Sequence, residues 1–428
     1  MCFLFAMISF VTNLAAPIGT IWGYQYEGNS VLGMMGNMMN FLAYLFMGIP
    51  AGKLLQKIGY KKTALWAMAV GVAGLLIQWI SSLQPGDMNF NFVIYLLGAF
   101  VCGFCVCMLN TVVNPMLNLL GGGGNRGNQL LQIGNSFNSL TGTLTPLFVG
   151  MLVGELTDST SMTTVEPLLW IAIGVFVASF IVISFVTIPE PGISKGKVMP
   201  RYTHSPWNFR HTVLGVIGIF IYVGIEVGIP GTLNFYLSDQ GPTGAGVEGA
   251  ASAIAGAIVA VYWLLMLCGR LLSSVISAVV SSKTQLIVVS SLAMLLVVAA
   301  ILIPSSCTLP VPEFLYSGAR VPVSAYLLII CGLCTSVMWG GIFNLAVEGL
   351  GKYTAQASGI FMMMVVGGGV IPLVQQVIAK NVGYMASYWL IAICLGYLLF
   401  YGLVGSKNVN TDIPVTEEED AEEIANAI

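Results

Sequence analysis

The sequence predicts an all-α membrane protein of twelve transmembrane helices, arranged as two six-helix bundles. Three observations predict it. The chain is 57% apolar and 8% charged, where soluble domains carry about 25% charged residues. Apolar runs near the roughly 20 residues needed to cross a bilayer recur along the whole chain. The basic residues then sort to one side of the topology those runs define. A chain this apolar would expose large apolar patches in water, whereas lipid covers them. A net charge of −3 without a basic patch excludes the electrostatic footprint of a nucleic-acid binder.

Taken in order, the runs are 2–23, 31–53, 62–83, 92–118, 128–154, 167–188, 211–237, 250–275, 284–303, 323–347, 355–379 and 385–405. The first lacks the basic lead and small-residue cleavage site of a signal peptide, so it reads as a spanning helix, with further chain expected upstream. With the N-terminus placed in the cytoplasm, cytoplasmic segments hold Lys53, Lys57, Lys61, Lys62, Arg126, Lys195, Lys197, Arg201, Arg210, Arg270, Lys283, Lys352 and Lys407. External segments hold only Arg320 and Lys380. The bias puts both termini inside.

The longest internal hydrophilic link, 189–210, is rich in Pro and Gly and divides the helices six and six. The expected organisation is therefore a bundle over 1–188, a cytoplasmic linker over 189–210, a second bundle over 211–405 and an acidic cytoplasmic tail over 406–428. Two bundles joined in this way can rock about a site at the membrane midplane. The tail, with Glu417, Glu418, Glu419, Asp420, Glu422 and Glu423, reads as solvated chain.

Nothing in the sequence calls for a cofactor or a metal. Cys102, Cys105 and Cys107 have no His beside them and read as small packing residues. Gly121–Gly124 lacks the Gly-Lys-Ser/Thr of a phosphate loop. His204 and His211 are expected to be solvated in the linker. No cluster of titratable groups suggests an enzyme.

The second-to-third helix loop reads Gly52-Lys-Leu-Leu-Gln-Lys-Ile-Gly-Tyr-Lys-Lys62, in which Gly52 and Gly59 permit a tight turn. Together with Leu109-Asn-Thr-Val-Val-Asn-Pro115, Asn135-Ser-Phe-Asn-Ser-Leu140, Tyr222-Val-Gly-Ile-Glu-Val-Gly-Ile-Pro-Gly231, Ile342-Phe-Asn-Leu-Ala-Val-Glu-Gly-Leu-Gly351 and Gly367-Gly-Gly-Val-Ile-Pro372, it resembles the fucose and glucose/galactose branch of the major facilitators. Gln56 stands where the loop signature usually has an acid. The resemblance implies the major facilitator fold in a bacterial inner membrane. It also implies a monomer that takes up a monosaccharide with a proton or, in some relatives, with sodium.

The residues can be read beside that resemblance. A sugar needs groups that both donate and accept hydrogen bonds, and aromatic faces for its C–H surfaces. The spans carry Asn13, Asn110, Asn114, Asn135, Asn138, Asn234 and Asn344, with Asn37, Asn40, Gln375 and Gln376. An unpaired amide in hydrocarbon costs several kcal/mol, so these either bond between helices or line a wet cavity. Asn135 and Asn138 share one helix face. Trp263 and Trp339 are candidate stacking faces, while Trp22 and Trp170 are expected as interface anchors.

Glu226 lies well inside the seventh span, and no other charged residue reads as equally deep. An intramembrane acid costs roughly 2.5–3.5 kcal/mol to insert and usually faces a cavity. It is a candidate for carrying a proton, holding sodium, accepting sugar hydroxyls, or pairing structurally with amides. Gly228 and Pro230-Gly231 are expected to weaken or kink its helix. By the resemblance, the acids of the proton-coupled fucose members fall at Ala16 and Asn110, while amides persist at Asn13, Asn135 and Asn138. Glu226 matches the acid of the glucose/galactose members instead. Proton symport, sodium symport and uncoupled uniport all remain open at this point, as do export and a sensor that binds without turnover.

Overall fold

The structure, a computed structural model, describes residues 2–27, 29–83, 87–120, 124–153, 162–188, 204–276, 280–410 and 412–415. The expected linker from 189 to 203 and the acidic tail from 416 on lie outside the described residues, as do Gly121–Gly123. The helices are α1 (Cys2–Gln25), α2 (Ser30–Ile58), α3 (Tyr60–Leu83), α4 (Met88–Leu120), α5 (Gly124–Val153), α6 (Glu166–Phe185), α7 (Arg210–Ser238), α8 (Ala251–Ile276), α9 (Ser282–Leu302), α10 (Val323–Val347), α11 (Thr354–Met364), α12 (Gly367–Val382) and α13 (Tyr384–Phe400). A π turn, Tyr401–Gly405, extends α13.

Each of the twelve predicted runs becomes a helix, or a pair of helices in one crossing. Among the described residues, 11 segments are long and apolar enough to cross a membrane. The twelfth run is α5, which has the length, at 30 residues, but is more polar. Its outer face carries Ile133, Phe137, Leu140, Leu144 and Phe148, all exposed. Asn135, Asn138 and Ser139 lie elsewhere on the helix, so the low hydropathy reflects two faces rather than a soluble helix.

Packing repeats across the chain. α1 packs on α5 as α7 packs on α12, and α2 on α4 as α8 on α10. Likewise α3 meets α4 and α6 as α9 meets α10 and α13. The halves meet where α5 faces α8 and where α2 faces α11 and α12. These are equivalent positions exchanged, as a pseudo-two-fold axis requires. Within the first half α1 and α2 approach at Gly19 and Gly33, where a Cβ on either glycine would collide with the carbonyl oxygen of the other. Small residues allow such close helix contacts in membranes.

Local sequence explains the boundaries. Asn29 caps α2, its Oδ1 accepting from the N–H of Val31 and Leu32. Gly59, at φ 89°, is the whole α2–α3 turn. Gly52, expected in that turn, instead lies inside α2, because α2 runs to Ile58. A short antiparallel hairpin, β1 (Thr308–Pro310) with β2 (Arg320–Pro322), spans the α9–α10 connection.

Several further expectations change. α7 is helical without interruption through Pro230; the break lies instead between α11 and α12, at Val365–Val366, just before Gly367-Gly368-Gly369. Trp22 is not an interface anchor: it is buried and packs against Phe92 and Tyr95. Trp170 is half exposed against Trp79, consistent with the expected rim position. His211 is fully buried, with Nε2 bonded at 2.9 Å to the Glu348 carbonyl, because α7 begins one residue before it.

Candidate functional site

Several helices around the site contain a proline, α7 and α12 among them, and a proline inside a helix frees a backbone carbonyl four residues earlier. In α7, Pro230 leaves the Glu226 carbonyl without its helical donor, and the Tyr262 hydroxyl of α8 donates to it at 3.3 Å. Tyr262 also bonds Thr335 of α10 at 3.0 Å. In α12, Pro372 frees the Gly368 carbonyl, and Asn37 of α2 donates to it at 2.9 Å, across the interface between halves. Breaks in the helical ladder are thus satisfied by side chains, as a membrane interior demands.

Glu226 is not a lone charge. Arg270 of α8 donates from Nη2 to its Oε1 at 3.2 Å. The same guanidinium donates from Nη1 to the Asn135 carbonyl at 2.7 Å and to Ser139 Oγ at 2.7 Å, both on α5. Side-chain exposures are 8% for Arg270 and 16% for Glu226. Arg270 therefore ties an acid of the second half to a helix turn of the first. Its planar fork suits such a bridge better than an ammonium would. The sequence had assigned Arg270 to the cytoplasmic count. It stands six residues before the end of α8, where basic residues normally mark an interface. Its spacing of seven from Trp263, two helical turns on the same face, was the available signal.

Around this pair lies a cavity of about 770 Å³ including its mouth. The first half lines it with Asn13, Asn110, Asn114, Asn135 and Asn138; the second lines it with Tyr222, Glu226, Trp263, Arg270 and Trp339. Asn110 donates to the Tyr44 hydroxyl at 2.7 Å, and Asn114 to the Asn110 carbonyl at 2.9 Å. Asn13 donates to the Ser9 carbonyl at 2.9 Å. Trp339 packs against Tyr222 with centroids 6.1 Å apart.

Eight of the ten residues expected at the site thus meet in this one space. Asn234 does not: it lines a second cavity, of about 970 Å³ including its mouth, beyond Asn13 and Trp263, and donates to Thr20 Oγ1 at 3.2 Å. Asn344 is exposed near the end of α10 and lines neither cavity. Residues that the sequence reading missed are Arg270, Tyr222, Tyr44 and Thr12, the last three because a lone hydroxyl in an apolar run carries no pattern.

The end of the interface carrying the α1–α2 turn is shut. Tyr24 donates to the Ser238 carbonyl at 3.1 Å. The Phe235 ring fills the space over Gly33, where an added Cβ would stand 3.1 Å from it.

Repeated halves around a polar, charge-containing cavity define a multi-pass membrane transporter. The chain belongs to the Major Facilitator Superfamily, whose model matches residues 1–372. It is 29% identical over 410 residues to a glucose/galactose transporter of Brucella abortus, covering 95% of this chain and 93% of that one. It is 21% identical over 392 residues to the L-fucose-proton symporter of Escherichia coli, covering 86% and 83%. A crystal structure of a fucose symporter in the outward conformation superposes with a TM-score of 0.67 at 18% identity, over 95% of this chain and 98% of that one.

Proposed function

We propose that this protein takes up a neutral hexose or deoxyhexose across a bacterial inner membrane by alternating access, coupled to protons through Glu226. The observation that carries the reading is the cavity itself: amides from one half face aromatic rings and a Glu226–Arg270 pair from the other. Amides can donate and accept at once, which suits hydroxyls, and Trp263 and Trp339 offer flat faces for ring C–H surfaces. The names of the Brucella and Escherichia relatives support this substrate class.

Arg270 sharpens the coupling. When Glu226 takes a proton, the guanidinium loses its counter-charge and is held only by the Asn135–Ser139 turn of α5. The charge state of one acid in the second half thereby changes what the first half must balance. A sodium ion at Glu226 would need several oxygen ligands beside the guanidinium already on Oε1, whereas a proton needs only one lone pair of the carboxylate. Removing Arg270 from the thirteen cytoplasmic cations leaves twelve against two, a bias that supports placing both termini inside. The shut α1–α2 end is then the external one, and the cavity belongs to an inward-facing state.

The test is uptake of radiolabelled glucose, galactose and fucose into vesicles under a proton gradient, a sodium gradient, or neither. Glu226→Gln is expected to lose gradient-driven accumulation while retaining sugar exchange. Accumulation unchanged in that variant would remove Glu226 from coupling, and no uptake of any of the three sugars would end the sugar reading.

A further inference from the structure

Three spaces follow one another along the interface between the halves. A small depression at the α1–α2 end shares Thr20 and Ser238 with the larger outer cavity. The outer cavity in turn shares Thr12, Asn13, Val227 and Trp263 with the inner one. The wall between the two large spaces is thin. Asn13 and Trp263 meet over Gly142, where an added Cβ would lie 3.3 Å from each.

The outer cavity differs in chemistry from the inner. No Asp, Glu, Lys or Arg among the described residues lines it. Three amides do: Asn13, Asn37 and Asn234. Each amide nitrogen is already bonded within the protein, to Ser9, Gly368 and Thr20 respectively. The side-chain oxygens then offer acceptors, and Asn37 and Asn234 each keep a second N–H. Acceptors without a fixed charge, beside an indole face, match a neutral polyol whose hydroxyls donate. An ammonium or metal cation would instead call for a carboxylate.

We infer that the outer cavity is a second binding station for the same class of neutral sugar, placed before the Glu226–Arg270 site and separated from it by Asn13 and Trp263. The inference rests on the sugar reading above. A sugar held there touches no titratable group, so its binding is independent of the charge on Glu226. Trp263, common to both spaces, presents a face on either side of the wall, and movement of that side chain hands the ring inward.

The station is tested by stoichiometry. The full chain in lipid nanodiscs is dialysed to saturation against radiolabelled D-galactose, with glucose and fucose in parallel. Two sugars per chain are expected. Ala253→Phe fills only the outer cavity and Asn138→Leu obstructs only the inner, so each is expected to bind one. That retained sugar also reports that the variant is folded. Should Ala253→Phe fail to fold, Asn234→Leu removes an outer acceptor with less bulk and is likewise expected to bind one. Lowering the pH to protonate Glu226 is expected to leave the sugar bound by Asn138→Leu unchanged. Saturation at one sugar in the unmodified chain, or two in both outer-cavity variants, overturns the second station and leaves the sugar reading intact. Binding of none of the three sugars by the unmodified chain overturns the sugar reading itself.

Discussion

The two halves meet the inner cavity with different chemistry. Helices α1, α4 and α5 bring five asparagines and no charge, whereas α7, α8 and α10 bring an acid, an arginine and three large aromatic side chains. The packing pattern repeats between the halves, yet the cavity residues do not. Amides grip hydroxyls in either protonation state of their surroundings. A carboxylate paired with a guanidinium responds to a proton. On the function proposed above, hydroxyl recognition falls mainly to the first half and coupling to the second, and the two are joined physically where Arg270 reaches α5.

The strongest way to break that division is to cut the joint. Arg270→Leu leaves Glu226 buried without its partner, an arrangement that costs about 3–5 kcal/mol. A large fall in Tm and loss of accumulation are expected. The double variant Arg270→Leu with Glu226→Gln is expected to regain most of the Tm but no gradient-driven uptake, as measured by thermal unfolding and vesicle assays. A double variant less stable than Arg270→Leu alone would show that the two side chains do not act as a pair.

A smaller effect sharpens the recognition side. Asn138→Ala removes one amide from the first half and so one sugar hydrogen bond, worth about 0.5–1.5 kcal/mol. The half-saturation concentration should rise about 2- to 12-fold with protons moved per sugar unchanged. A changed proton ratio would place coupling in both halves. The smallest effect belongs to Tyr262→Phe, which removes the donor on the Glu226 carbonyl and costs about 1 kcal/mol. It should lower Tm slightly and leave half-saturation as it was.

The fold was legible because hydrocarbon imposes length and hydropathy on every crossing, and even α5, the most polar, keeps an apolar outer stripe. Glu226 and the amides of α4 and α5 were legible for the opposite reason, as polar groups where lipid forbids them. Arg270 was not, because near a helix end a basic residue has two readings, interface anchor or buried partner, and only the position of Glu226 in space separates them. The interruption was misplaced from α12 to α7 because proline reads alike in both. A side chain from a neighbouring helix satisfies the freed carbonyl in each, Tyr262 at Pro230 and Asn37 at Pro372, whereas three consecutive glycines, poor helix formers, precede Pro372 alone.

The bond from Asn37 to the Gly368 carbonyl has an energetic consequence. That carbonyl owes its freedom to Pro372, and its donor sits on the opposite bundle. Any motion that parts α2 from α12 strands it until water arrives. One hydrogen bond of about 1 kcal/mol biases a two-state equilibrium roughly five-fold. An arrangement that keeps α2 on α12 is thus favoured by one missing N–H, and one that parts them gives up that bond.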